Sequence, residues 1–343
     1  MKVIVIGASG YSGGELLRLL EGHPEFHLHA AIAHTQAGES ISSVHPQLAG
    51  SHLGRFEKLS DHFIQEAELI FFALPHGESG KIISESPELF AAKKIVDVGA
   101  DFRLHSSASW EKYYGGTHHG TWQYGLPELP GRRSAIKQSA KIANPGCYAT
   151  ALALSLAPFA QLLTKVNFAD VVITAASGTT GAGRRATVNL LGSEVMNSLS
   201  AYKVGGIHQH TPEIEEAISA LAKKQVRLSI TPILAPMPRG ILSSVSIPIT
   251  NASIEEIRDI FSSAYNQEKF VNLLPEGQWP ETQSLYGSNG VHIQVALDHH
   301  VGRAVVIAAL DNLGKGAAGQ AIQNANLITG IEESTGLTPV GVR

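Results

Sequence analysis

A single cysteine stands in this 343-residue chain, which excludes an intrachain disulfide and any cysteine-rich zinc site. Thiol chemistry therefore has one candidate, Cys147. Charge is also sparse: 16% of residues are Asp, Glu, Lys or Arg, the formal net charge is −4, and the basic residues are scattered. Such a surface offers no footprint for nucleic acid and no polybasic membrane anchor. No run of about 18 apolar residues is present to span a bilayer. Met1 leads directly into Val3-Ile4-Val5-Ile6 without the layout of a signal peptide, so the cytoplasm is the expected location. Hydrophobic residues make up 43% of the chain, an ordinary globular value. Single cores seldom grow past about 250–300 residues, so the length suits two domains.

Short apolar runs alternate with helical spacing through the first part of the chain. Lys2–Ile6 reads as a strand, and Leu16, Leu17, Leu19 and Leu20 recur at helical spacing until Gly22 and Pro24 stop them. Further strands are expected at 28–33, 68–74 and 94–98. This pattern predicts a parallel sheet covered on both faces, within a first domain of residues 1–147. Longer strands follow at 226–234, 241–249, 291–297 and 304–310. Ile241, Ser243, Val245, Ile247 and Ile249 share one side, as do Val291, Ile293, Val295 and Leu297, so a sheet with one half-buried face is expected. These strands form a second, α+β domain over 148–312. A last helix, Lys315–Thr329 within 313–343, is expected to return to the first domain.

Gly7-x-x-Gly10-x-x-Gly13 lies between the first strand and the first helix. Glycines there permit positive φ and let backbone approach a pyrophosphate, which the helix N-terminus attracts. A tight turn with no ligand is the bland alternative, but the flanking strand and helix favour dinucleotide binding. The second strand ends Ala33-His34-Thr35-Gln36, with no carboxylate to repel a 2′-phosphate, and this favours NADP(H).

Asn144-Pro145-Gly146-Cys147 sets the thiol at a helix start, with Asn144 as N-cap and Pro145 in the first helical position. A helix N-terminus favours the thiolate, the nucleophilic form; a buried structural cysteine is the alternative. His208-Gln209-His210 precedes a helix expected to be capped by Thr211 and opened by Pro212. The two histidines would share one side of an extended segment, and a base near a thiol suits covalent acyl chemistry. A His-x-His pair also suits zinc, but no third ligand lies nearby in sequence and no metal is expected. His118, His119, His299 and His300 read as loop residues, and His76 as a site-rim residue.

Several segments occur together and in order: GASGYSGGELLRLL (7–20), ALPHG (73–77), DVGADFRL (97–104), YGLPEL (124–129), ANPGCYAT (143–150), SGTTGAGR (177–184), HQHTPEI (208–214), PMPRG (236–240) and DNLGKGAAGQAIQN (311–324). Together they resemble the semialdehyde dehydrogenase family, and within it the reductases of N-acetyl-γ-glutamyl phosphate, over essentially the whole chain. The resemblance implies an α/β fold: a Rossmann-type domain plus an α+β dimerisation and substrate domain. It implies NADPH-dependent reduction of the acyl phosphate to a semialdehyde through a thioester on Cys147, in arginine biosynthesis. His210 would be the acid/base, with His208 helping to bind substrate. Cofactor contacts are implied at Gly7, Ser9, Gly10, Tyr11, Ser12, Gly13, His34, Thr35, Pro75, Ser177, Gly178 and Asn312. Substrate contacts are implied at Arg103, Asn144, Arg184, Glu213 and Arg239, where guanidinium matches carboxylate or phosphate. A homo-oligomer, dimer or tetramer, is expected. The chain departs from the family in two places: Gln209 stands where Arg is usual, and His34-Thr35 replaces a Ser-Arg-type strand ending. Rival readings are aspartate-semialdehyde dehydrogenase, a lysine-pathway reductase of a carrier-bound acyl phosphate, and a catalytically silent nucleotide sensor.

Overall fold

The computed structural model describes residues 1–342, and the chain divides into two compact units. The first comprises Met1–Pro127, Gly131–Gly146 and Ala317–Leu337; the second comprises Glu128–Pro130, Cys147–Gly316 and residues 338–342. Strands β1 (Lys2–Ile6), β2 (His27–Ile32), β3 (Leu69–Phe72), β4 (Lys94–Asp97), β5 (Gln123–Tyr124) and β6 (Lys141–Ala143) form one sheet. Strands β7 (Val171–Ser177), β8 (Ser200–Ala201), β9 (Leu228–Leu234), β10 (Ile241–Pro248), β11 (Val271–Leu273), β12 (Val291–Asp298) and β13 (Arg303–Leu310) form the other. The helices used below are α1 (Tyr11–Glu21), α2 (Glu78–Glu85), α3 (Cys147–Leu156), α4 (His210–Ala222), α5 (Ile254–Tyr265) and α6 (Gly319–Thr329).

The first sheet is parallel throughout, in the order β2-β1-β3-β4-β6-β5. After β2 the chain crosses back over β1 to lay down β3 on its other side. This reversal opens a crevice at the carboxyl ends of β1 and β3, where such sheets take ligands. Both faces are covered, which is why these strands read as continuous apolar runs. Val3, Val5, Phe71 and Val96 pack with Leu16, Leu17 and Leu20 of α1 and with Ala321, Ile322 and Ala325 of α6. On the other face, Ile4, Ile6, Ile70, Phe72 and Ile95 pack with Ile64 and Phe90. Each of the buried leucines of α1 contributes about 1.5–3 kcal/mol relative to exposure. The expected helix over Lys315–Thr329 opens instead with a π-helical turn, Gly314–Ala318, before α6.

The second sheet is mixed, in the order β11-β12-β13-β10-β7-β9-β8. Its alternation follows the sequence: Ile241, Ser243, Val245 and Ile247 are buried while Leu242 is exposed. Helices α3 and α4 pack together, and α3 covers β10 and β13. Every residue of α3 from Tyr148 to Leu156 is buried, and its alanines at 149, 151 and 153 let the helix sit close. The opposite face stays open, with Val172 46% and Leu242 37% exposed. Among the described residues no helix is long and apolar enough to cross a membrane.

Candidate active site

The three glycines of the first turn have three different reasons. Gly7 has φ +89°, and a Cβ on it would lie 2.3 Å from the Ala73 carbonyl oxygen at the end of β3. A Cβ on Gly13 would lie 2.4 Å from the Gly7 oxygen, so Gly13 permits α1 to pack on the turn. Gly10 is not crowded, its nearest neighbour being 3.5 Å away; it lines a cavity of about 790 Å³ with Gly7, Ser9, His34, Thr35 and Pro75. Gly10 caps α1 without a side-chain oxygen, and no acidic residue stands in the first turn, so the helix start suits an anion. Tyr11 and Ser12 open α1 outside the cavity lining, and Gly13 is buried behind it.

Four residues of this cradle escaped the sequence reading: His45, Glu57, Lys58 and Glu78. His45, 3% exposed, bonds the Ala8 carbonyl through Nε2 at 2.9 Å and holds the turn from behind. Glu57 pairs with the end of β2: Ala33 N–H donates to its carbonyl at 3.0 Å, and its own N–H donates to Ala31 at 2.9 Å. Lys58 thereby reaches the cavity wall beside His34, Thr35 and Gln36. Glu78 supplies a carboxylate from the start of α2. An anionic dinucleotide fits this donor set of helix N–H groups, hydroxyls and one lysine.

In the second unit, Cys147 is half-buried and is the first residue of α3. Asn144 therefore does not cap the helix and Pro145 does not open it. Asn144 continues the sheet instead, its N–H donating to the Asp97 carbonyl at 2.8 Å. Its side chain donates to the Ala317 carbonyl and accepts from Asn324, and it is fully buried. This interior anchoring replaces the expected substrate contact.

Behind Cys147 lies the π-helical turn. A Cβ on Gly316 would stand 2.8 Å from Cys147 Cβ, so only glycine fits without displacing Cys147. Lys315 and Glu128, both fully buried, form an ion pair at 2.6 Å, and the ammonium also lies 5.6 Å from the Phe270 ring. Asp311 gathers the strand end: it accepts from Arg239 Nε, Gly287 N–H, Leu313 N–H and Gly314 N–H. The one charged residue among 313–329 was the available sequence signal for this pair, since Lys in so apolar a run is buried and partnered.

The histidine segment also differs from expectation. Helix α4 starts at His210, so Thr211 and Pro212 lie inside its first turn and Thr211 is not the cap. The His208 and His210 rings meet edge to face at 5.0 Å, beside Tyr148, whose ring lies 5.3 Å from His208 and 6.1 Å from His210. The His210 backbone N–H donates to His208 Nδ1 at 3.2 Å, which places the proton of neutral His208 on Nε2. Burial, and then the charge of Lys203, push the His208 pKa down to about 4. His208 is thus neutral at pH 7 and a weak base. Tyr202, unforeseen in the sequence, donates to the Tyr148 hydroxyl at 3.2 Å; burial first, with the Cys147 charge contributing, pushes its pKa up to about 12.

The expected anion-gripping arginines occupy three different settings. Arg103, 6% exposed, donates to the Val98 and Asn144 carbonyls, both at 2.7 Å. Arg239 pairs with buried Asp311 at 2.9 Å. Arg184 is exposed after the Ser177-Gly178 turn. Ser177 and Gly178 are buried there, and Asn312 joins that turn to its neighbour by accepting from Gly240 N–H and donating to Thr180. These three cofactor candidates belong to the second unit, whereas all residues lining the cavity belong to the first. Glu213 is buried in the first turn of α4. Among the described residues no group of three or more His, Cys, Asp or Glu is arranged to hold a metal.

Comparison with known proteins places this geometry in context. Residues 2–139 match the semialdehyde dehydrogenase NAD-binding domain and residues 147–312 its dimerisation domain. N-acetyl-gamma-glutamyl-phosphate reductase of Acidothermus cellulolyticus is 55% identical, covering 99% of this chain and 98% of that protein. The reductase of the same name from Streptomyces coelicolor is 47% identical, covering 100% and 99%. In fold, aspartate semialdehyde dehydrogenase II of Vibrio cholerae superposes with a TM-score of 0.71 at 16% identity, over 96% of this chain and 98% of that one.

Proposed function

The chain belongs to the semialdehyde dehydrogenase family, and from that premise we propose that it reduces N-acetyl-γ-glutamyl phosphate to the semialdehyde and phosphate, with NADPH as reductant. The observation that carries this reading is a lone thiol at the start of a buried helix, packed against the helix that begins at His210, directly after His208 and Gln209. The full-length relatives at 47–55% identity support this substrate, whereas the likeness to aspartate semialdehyde dehydrogenase concerns fold alone.

Cys147 thiolate attacks the acyl carbon; the C–O bond to phosphate breaks and phosphate leaves with its electron pair, giving a thioester. The cofactor, when bound, supplies the hydride that reduces this carbon. The first-turn N–H groups of α3 face the developing oxyanion and stabilise it. His210 is the acid/base, because His208 is held neutral and committed through Nδ1; His208 and Tyr148 keep the His210 ring in place. The preference for the 2′-phosphorylated cofactor rests on His34, Thr35 and Lys58, a cation near the strand end where an NAD site carries a carboxylate. Arg103 and Asn144 act as positioning residues behind the Gly146–Cys147 step. A second copy of the chain covers the open face around Val172 and Leu242, and wild-type protein sedimenting as a monomer would remove that part of the reading.

The test runs the reaction backwards: phosphate-dependent reduction of NADP by N-acetylglutamate semialdehyde. Wild type turns over, and Cys147→Ser loses about 10³-fold or more in kcat. Turnover with aspartate semialdehyde alone would move the substrate, and activity surviving in Cys147→Ser would overturn the thioester.

A further inference from the structure

The histidine cluster includes a cation that no motif contains. Lys203 holds a left-handed backbone conformation, φ +45°, just before Gly205 and Gly206 at +84° and +78°. Non-glycine residues seldom adopt that region, which is strained and recurs at ligand clamps and active sites. Its ammonium donates to the Gln209 side-chain oxygen, which lies between His208 and His210 in sequence. An ammonium has three N–H donors, so two remain for an anion. Lys203 is exposed, yet partial desolvation by its neighbours lowers its basicity, and its charge reaches His208. Of the other cations of this unit, Arg239 is paired with Asp311 and Lys315 with Glu128, while Arg184 is exposed after the Ser177-Gly178 turn.

We propose that Lys203, steadied by Gln209, receives the α-carboxylate of the acyl-phosphate substrate. This rests on the acyl-phosphate reductase reading above. The reacting carbon must stand at Cys147 and the acid/base histidine, and the phosphate leaves from that same carbon. The α-carboxylate sits at the other end of the glutamyl chain and never reacts. A cation bound to Gln209, rather than to either imidazole, suits that end. Lys203 then acts in specificity: it selects a carboxylated chain over one of equal length lacking the charge.

The experiment measures steady-state kinetics of the reverse reaction in wild type, Lys203→Met and Lys203→Arg, with thermal melting to verify that each variant is folded. One charge-assisted contact corresponds to about a 10–100-fold change in affinity. Lys203→Met should raise KM for N-acetylglutamate semialdehyde by about that factor, with kcat within about threefold and KM for phosphate and NADP unmoved. Lys203→Arg should recover most of the loss. N-acetyl-4-aminobutanal, which lacks the carboxylate, should be a poor substrate for wild type and equally poor for Lys203→Met. An unchanged semialdehyde KM in a folded Lys203→Met, or a rise in the phosphate KM instead, overturns the assignment while leaving the reaction intact. A wild type that does not turn over the semialdehyde overturns both.

Discussion

Helices α1 and α3 each begin directly after a glycine, and they do so in opposite surroundings. Helix α1 follows Gly10 and carries its dipole to an open cavity; its buried residues, Leu16, Leu17 and Leu20 among them, form one side only. Helix α3 follows Gly146, begins with the thiol itself, and is buried all round from Tyr148 on. The electrostatic device is the same: first-turn N–H groups favour negative charge. A dissociable anion must come and go, so the first start leaves space in front of the backbone. The thiol belongs to the chain, so the second start packs its surroundings against it, down to Gly316. The contrast is between a helix start where Gly10 has room for a methyl group and one where Gly316, against Cys147, has none.

The comparison can be broken most severely at Gly7. Gly7→Ala combines a positive φ with a Cβ 2.3 Å from the Ala73 oxygen, and should destabilise by about 3 kcal/mol. That corresponds to a fall in Tm of roughly 6–12 °C. Gly10→Ala, where the nearest atom is 3.5 Å away, should leave Tm close to wild type and weaken NADP binding by roughly tenfold, because the methyl group occupies ligand space. Equal melting of the two variants would show that the turn is not built as described.

At the second start, Gly316→Ala should reduce kcat by about 10–100-fold, since small displacements of a reacting group are that damaging. The dinucleotide affinity should not change, and the thiol should still titrate with a disulfide reagent. A wild-type kcat would mean that Cys147 is not positioned through Gly316.

The smallest effect concerns Asp97, whose backbone carbonyl receives Asn144 ahead of the thiol. Burial, with Asp101 nearby, pushes its pKa up to about 7, while Ser79 and the Gly99 N–H act the other way. The folded protein then holds this proton over a range where the unfolded chain, with a pKa near 4, has released it. Stability from this group is therefore present below about pH 4 and is lost as pH rises to about 7. Asp97→Asn keeps an acceptor for Ser79 and cannot ionise, so its Tm relative to wild type should climb by a few degrees between pH 5 and pH 8. A constant difference across that range would contradict the assignment.

Legibility followed sequence distance. The strand-turn-helix at 2–21, the buried alternation of β10 and the place of Cys147 at a helix start depend on neighbours a few residues away, and they were readable. Helix starts were readable only to within a few residues: Asn144 looked like a cap, yet its side chain bonds Ala317 and Asn324, and His210 begins the helix that Thr211 was expected to cap. Arg103 was legible as important but not as a residue turned onto the Val98 and Asn144 carbonyls.

By itself, the sequence determined which chemistry was available: one thiol, a glycine turn between strand and helix, and a histidine pair, because steric and dipolar rules act over single turns of backbone. The tertiary structure alone decided how that chemistry is held. Lys315 finds Glu128, Lys58 reaches the end of β2, and His45 supports the carbonyl of Ala8 through contacts between residues remote in the chain. Such partners are selected by packing and by the need to satisfy buried polar groups, and no local pattern encodes them.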